Sequence, residues 1–390
     1  MADQSPHILY FARMVPAYRL PVLNRLNEAL DGRLVVCSGE PPGKSSILQA
    51  TDQQPVDYEH IPLANHWLHG ESIHFQNYSS VFRKYPRPAV VLAEESPRSV
   101  SLPFLLRKAR KVGAGRVLWG IFYSFHRPFS ASHPLQKYRL RMANSVEACA
   151  CYTKGVRDIL HDHVDNDKLF VAQNTMETDI LFKQRSILES EGIINVRKRL
   201  GIDESHKVLI FIGQLVPRKG TREVIDLFET IRRSQPATLL VMRAGPEREN
   251  MEEYARELGV SGVKFLGPIS RLEDSSPYIF ASDVVVIPGY VGLVVNHSLC
   301  LGVPIVTQKA PANIPYHAPE VESIVDGMNG FITERSPDAL LEGVQKVLQE
   351  RDLFSRRSIA YAEKHITIQV MINGLVDAIS WAENQSSATR

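Results

Sequence analysis

Residues 211–220 read Phe-Ile-Gly-Gln-Leu-Val-Pro-Arg-Lys-Gly, and the reading of this stretch decides the fold. It closes the apolar run Val208–Ile212, which has the length and β-branched content of a buried strand. Gly213 permits a tight turn and a close approach of backbone to a ligand. Arg218 and Lys219 follow in the loop, ahead of a helix expected over Thr221–Ile231. Two cations beside a strand end and a helix N-terminus make a seat for a phosphate or diphosphate. Solvated loop charge is the competing reading of the pair, and the downstream sequence decides between them.

Downstream, apolar runs alternate with helical patterns. Thr238–Arg243 closes in Ala244-Gly245-Pro246, Val263–Gly267 in its own glycine, and Asp283–Ile287 in Pro288-Gly289. Gly292-Leu293-Val294-Val295 opens a short helix to Leu301, followed by Gly302-Val303-Pro304-Ile305-Val306-Thr307 and then Glu322 to Gly330. Upstream, strands are expected over His7–Ala12, Arg33–Cys37, Ala89–Ala93, Arg116–Ile121, Ala148–Tyr152 and Leu169–Ala172. Such runs suit parallel strands covered by helices on both faces. The segment 38–85, with four histidines (60, 66, 69 and 74) lacking metal-like spacing, is expected to form loops over an interdomain cleft. A last helix is expected over Ile368–Glu383, with Val370, Met371, Leu375, Ile379 and Trp381 at helical spacing, and then a polar tail.

A chain of 390 residues fits two domains. The spacing of strands suggests a first domain over 1–183, a charged connector over 184–205, a second domain over 206–365 and the helix and tail over 366–390. Apolar content of 44% and charge of 23% are those of a soluble globular protein, and a net charge of +2 argues against nucleic acid as a partner. The basic residues are unevenly spread: 13 lie between Val81 and Arg141, against Glu94 and Glu95 alone. Such a band would suit an anionic membrane surface or acceptor. The four cysteines have no metal or disulfide spacing and read as buried apolar side chains in a reducing compartment. With no signal peptide or apolar span in view, the expected location is cytoplasmic, or peripheral on the inner face of the membrane.

The order and spacing of these motifs, specific from Ile202 to Ile332 and looser from His7 to Asp179, resemble the retaining glycosyltransferases of family 4. The variant Pro288-Gly289-Tyr290-Val291-Gly292-Leu293 with a downstream histidine looks like the bacterial polysaccharide-biosynthesis branch. The resemblance implies an α/β GT-B architecture: two Rossmann-like doubly wound domains facing a cleft, with the last helix bracing the first. It implies a UDP- or GDP-sugar donor on the second domain, a glycan or lipid-linked acceptor, and no metal or other cofactor. Arg218 and Lys219 match the family's pair that neutralises the departing diphosphate. Gly213, Arg243, Gly245, Gly289, Val291, Gly292, Leu293, Val294, His297 and Glu322 fall at donor-binding positions.

The sequence also departs from the family pattern. Most members carry two glutamates eight positions apart, where this chain has Gly289 and His297. A Gly-x-Gly turn reads Arg243-Ala244-Gly245, so Arg243 is either a donor contact or a strand-end charge. His297 would meet the ribose or pack in the core. Glu322 would bind ribose or lie on a surface loop, with Glu320 two residues away. The family's Trp-Gly-His-Gly reads Trp119-Gly120-Ile121-Phe122, which leaves His126 as the candidate catalytic histidine. Phe122, Tyr123 and Phe125 would stack on acceptor sugar faces or form an apolar patch. Arg19, where a glycine-rich loop is usual, would reach phosphate or acceptor. The function these features imply is retaining sugar transfer in cell-surface polysaccharide synthesis. A degenerate subunit that binds a sugar nucleotide or partner without turnover is the alternative. An NAD-dependent oxidoreductase is excluded by the missing Gly-x-Gly-x-x-Gly after the first strand.

Overall fold

The computed structural model describes residues 6–40, 55–69, 72–124, 127–312 and 317–388. The chain divides into two compact units. One takes in residues up to 124, 129–176 and the segment from Ile368; the other takes in 125–128 and 177–367. The first unit therefore closes at Met176, ahead of the expected boundary at 183. The expected connector is two helices of the second unit, Asp179–Glu191 and Ile193–Arg199.

The first unit contains β1 (Ile8–Ala12), β2 (Leu34–Ser38), β3 (Glu59–Pro62), β4 (Asn65–Leu68), β5 (Ile73–Gln76), β6 (Val90–Glu94), β7 (Gly115–Gly120), β8 (Ala148–Cys151) and β9 (Leu169–Val171). Among the described residues, seven of these form one sheet in the order β3-β2-β1-β6-β7-β8-β9, with parallel pairings throughout. β4 and β5 pair as a separate antiparallel hairpin. The segment 38–85 is thus not only loop. Its strands were hidden because β3 is an edge strand whose side chains are largely exposed, so it lacks an apolar run. Residues 41–54 lie outside the described residues.

One face of this sheet is covered by the helix Ile368–Ala388. Ile368, Met371, Ile372, Leu375, Ala378, Ile379 and Ala382 are buried along one stripe at three- and four-residue spacing. Close approach is built in. A side chain at Gly374 would stand 2.0 Å from the Val171 carbonyl oxygen, and one at Gly115 would stand 2.3 Å from that of Ala382. The helix runs past the expected Glu383 through most of the polar tail, to Ala388.

The second unit contains β10 (Lys207–Ile212), β11 (Ala237–Met242), β12 (Val263–Gly267), β13 (Val284–Ile287), β14 (Ile305–Gln308) and β15 (Gly330–Thr333). They form a parallel sheet in the order β12-β11-β10-β13-β14-β15. This is a doubly wound arrangement whose strand order reverses between β10 and β13. In such sheets the ligand crevice lies beyond the carboxyl ends of the strands flanking the reversal. Here those ends lead into Gly213 and Pro288-Gly289. All four cysteines are free and buried. No helix among the described residues is long and apolar enough to cross a membrane.

Candidate active site

The site is assembled by two loops that interlock at the reversal of strand order. After β10 the chain passes Gly213 and makes a 3-10 turn, Pro217–Lys219, that ends in left-handed Gly220. After β13 it passes Pro288 to Gly292 before the helix Val294–Cys300. The Gly289 N–H donates to the Lys219 carbonyl at 3.1 Å, and the Tyr290 N–H to that of Arg218 at 2.9 Å. A β-carbon on Gly289 would lie 2.1 Å from the Arg218 carbonyl oxygen, and one on Gly220 would lie 2.7 Å from Pro288 Cβ. Both positions are closed to any side chain, so the lost glutamate at 289 belongs to a different loop path.

The interlock presents two cations. Arg218 is exposed and Lys219 is buried, and both approach the Tyr290 ring, at 4.9 and 5.0 Å from its centroid. Lys219 lies across the strand end, its Nζ 3.5 Å from where a β-carbon on Gly213 would be. Burial, then repulsion from Arg218, brings its ammonium down to about 8, while Glu320 acts in the opposite direction. A partly desolvated cation pair of this kind gains most when an anion arrives.

His317 clamps the second loop. Its Nδ1 accepts the Val291 N–H at 3.2 Å, so Nε2 carries the proton and donates to the Gln308 carbonyl at 2.8 Å. The Ala318 N–H donates to the Val291 carbonyl at 3.0 Å. This histidine escaped the sequence reading because it lies outside every glycine-rich turn. Gly245 has a similar framework role: a β-carbon there would stand 2.3 Å from the Leu215 carbonyl oxygen.

His297 lies in the helix Val294–Cys300 and is buried, which lowers its imidazole to about 4; Arg243 adds to the shift. It is therefore neutral near pH 7. Arg243 ends β11 with φ of 108°, a conformation L-residues rarely adopt, and its N–H donates to the Gly267 carbonyl. Its half-buried guanidinium is shifted down by desolvation. Leu293 and Val294, both half-buried, lead into the helix from Gly292.

Glu322 and Glu320 differ in burial. Glu322 is exposed, and its charge acts on Tyr361 of the helix Arg351–His365. Glu320 is 2% exposed, and its Oε2 lies 4.0 Å from the β-carbon position of Gly292. The motif after them is occupied with a turn. Asn329 accepts the Val325 N–H and donates to the Ser323 carbonyl, while Asp326 accepts the Ile332 N–H.

In the first unit, Arg19 is 5% exposed. It donates to Asn174 Oδ1 at 2.9 Å and stacks on Trp119 at 4.6 Å, contacts that hold the start of its helix to the sheet. Phe122 is not an exposed stacking surface but a core side chain with φ of 55°. Its N–H donates to Glu95, which also pairs with Arg139 at 2.6 Å, and Gln136 donates to its carbonyl. Tyr123 beside it is half-buried. Phe125 and His126 lie outside the described residues.

Residues 193–365 match the family model described as glycosyl transferases group 1. This part of the chain is similar to that family over somewhat less than half of the sequence. Similar curated proteins include an uncharacterized glycosyltransferase of Methanocaldococcus jannaschii, 29% identical over 42% of this chain and 41% of that one. The alpha-monoglucosyldiacylglycerol synthase of Streptococcus pneumoniae is 27% identical over 45% and 40%. The lipopolysaccharide core biosynthesis glycosyltransferase LpsE of Rhizobium meliloti is 26% identical over 41% and 45%. The chain spans less than half the length of these curated relatives. Solved structures agree over nearly the whole fold. HepE of Anabaena in complex with UDP has a TM-score of 0.67 at 15% identity, covering 96% of this chain and 99% of that one. A glycosyltransferase from Rickettsia africae has a TM-score of 0.72 at 12% identity, covering 97% and 99%. The two Rossmann-like units of a GT-B glycosyltransferase, expected from the motifs, are therefore borne out.

Restoring a side chain at 289 tests the interlock. Gly289→Ala should cost about 1–3 kcal/mol of stability, and Gly289→Glu more, despite recreating the family residue. Denaturant titration of both variants measures it. Acid should act through the buried histidines. His297 and His74 both sit near 4 when folded, below the ordinary 6.5. The unfolded chain then takes up protons that the folded chain refuses. Stability is full above about pH 6.5 and falls towards about pH 4. Melting midpoints at about pH 7 and about pH 5 should show that drop, with a shallower slope in His297→Gln.

Proposed function

We propose that the chain transfers a sugar, with retention, from a UDP- or GDP-sugar to a hydroxyl of a glycan or lipid-linked acceptor in cell-surface polysaccharide synthesis. The observation that carries this reading is the interlocked pair of loops, which sets Arg218 and Lys219 at the sheet's ligand-binding end. A diphosphate gains charge as its bond to the sugar breaks, and two fixed cations stabilise that state more than the ground state. HepE, solved with UDP and with UDP-glucose, supports a sugar-nucleotide ligand. Relatives acting in lipopolysaccharide core and glycolipid synthesis support a lipid-linked acceptor.

Neutral His297 is suited to a ribose hydroxyl, and Arg243 supplies a further cation near it. The leaving phosphate would take the acceptor proton on the same face, so no enzymic nucleophile is needed. No metal enters this scheme, because Arg218 and Lys219 occupy the electrostatic role of a divalent cation.

Donor hydrolysis or transfer by the purified chain, unchanged in EDTA, is the expected result. Arg218→Ala and Lys219→Ala should each lower turnover by about 100-fold, with melting of the Arg218 variant near that of the wild type. Binding of UDP or GDP without turnover would instead favour the degenerate subunit.

The first unit is proposed to rest on an anionic membrane at the inner face. Its helix Leu102–Lys111 exposes Phe104 together with Arg107, Lys108, Arg110 and Lys111, an apolar and basic surface suited to such a bilayer. Cosedimentation with phosphatidylserine vesicles should fall as salt rises and weaken when the four basic residues are neutralised together. Salt-independent binding would remove the electrostatic account.

A further inference from the structure

The buried carboxylate of Glu320 has no part in the scheme above, yet it stands inside the crevice. Its segment is fixed: Ala318, two residues earlier, bonds to the Val291 carbonyl, and the 3-10 turn Pro319–Ser323 begins there. Glu320 is 2% exposed, its Oε2 is 4.0 Å from the β-carbon position of Gly292, and its charge acts on Lys219. The β-carbon position of Gly292 also lies 3.6 Å from Ala318 Cβ and 3.9 Å from Tyr290 Cε1, and glycine there adds no further bulk beside the carboxylate. A carboxylate is costly to hold away from water, and it is best retained where it accepts strong hydrogen bonds. Glu322, on the same turn, is exposed, and its charge acts on Tyr361.

We propose that Glu320 accepts a hydrogen bond from a hydroxyl of the donor's sugar, making it the residue that distinguishes a sugar nucleotide from the bare nucleotide. This rests on the donor reading given above. Cations meet the diphosphate on one side of the crevice, and the carboxylate meets the hydroxyl-bearing sugar beside Gly292. A carboxylate with no proton to donate selects for hydroxyls and against further anionic groups.

The rival role for Glu320 is to balance Lys219. The two are separated by comparing affinities for UDP and GDP with those for UDP-glucose, UDP-galactose, UDP-N-acetylglucosamine and GDP-mannose. Calorimetry on the wild type, Glu320→Gln and Glu322→Gln, each checked by thermal melting, gives the comparison. The expected result is that Glu320→Gln loses about tenfold or more for the preferred sugar nucleotide. Its affinity for the bare nucleotide should change by less than about threefold, and Glu322→Gln should behave as wild type. Equal changes for nucleotide and sugar nucleotide, or no change in either, would overturn the assignment and leave Glu320 as a partner of Lys219. A wild type whose affinity gains nothing from any sugar would overturn it too. Failure of the wild type to bind any of these nucleotides would remove the donor reading itself, a result distinct from the others.

Discussion

Everything at the candidate site depends on two loops whose backbones share hydrogen bonds with no side chain between them. Gly289 and Gly220 face one another across a gap that admits no β-carbon, and the Lys219 and Arg218 carbonyls are satisfied by N–H groups from the opposite loop. Because the bonds run through main chain, the cation pair is placed by sheet geometry rather than by flexible side-chain contacts. The parallel register of β10 with β13 sets where the two loops meet. The clamp from His317 to Val291 and Gln308 then fixes the far end of the second loop against β14.

This arrangement explains how a glutamate at 289 can be dispensed with. The Arg218 carbonyl oxygen stands 2.1 Å from where a β-carbon at 289 would be, so the volume a carboxylate would need is filled by backbone. Beside the cation pair, Glu320 acts electrostatically on Lys219, and Arg243 acts on His297. The mixture is more cationic than a two-glutamate site, which suits a ligand dominated by phosphate charge.

The parallel sheets were legible because their strands are buried on both faces and read as unbroken apolar runs. β3 and the β4–β5 hairpin were not: β3 is exposed at most of its positions, and the hairpin has alternating burial, so neither forms such a run. Arg218 and Lys219 were legible from their position after a strand-ending glycine. Glu320 and Glu322 could not be told apart, because two carboxylates spaced by one residue are equivalent in sequence, and His317 lies outside every glycine-rich turn. Only the 3-10 turn that carries both carboxylates buries Glu320 and leaves Glu322 exposed. Phe122 was left between a stacking surface and an apolar patch, because an aromatic at a strand end fits both. Its burial, with its N–H held by Glu95, decides for the apolar reading.

The discontinuity of the first unit bears on how the protein is made. The stripe from Ile368 to Ala382 shares one face of the first sheet with the helix Leu20–Ala29 and covers its β6–β9 side, yet it is translated after residues 177–367 of the second unit. While the ribosome works through residues 177–367, that side remains bare apolar surface. The second unit, drawn almost wholly from residues 177–367, has all of its core-forming chain in place before the first unit receives its last helix. The interval in between is when the nascent chain most needs a chaperone.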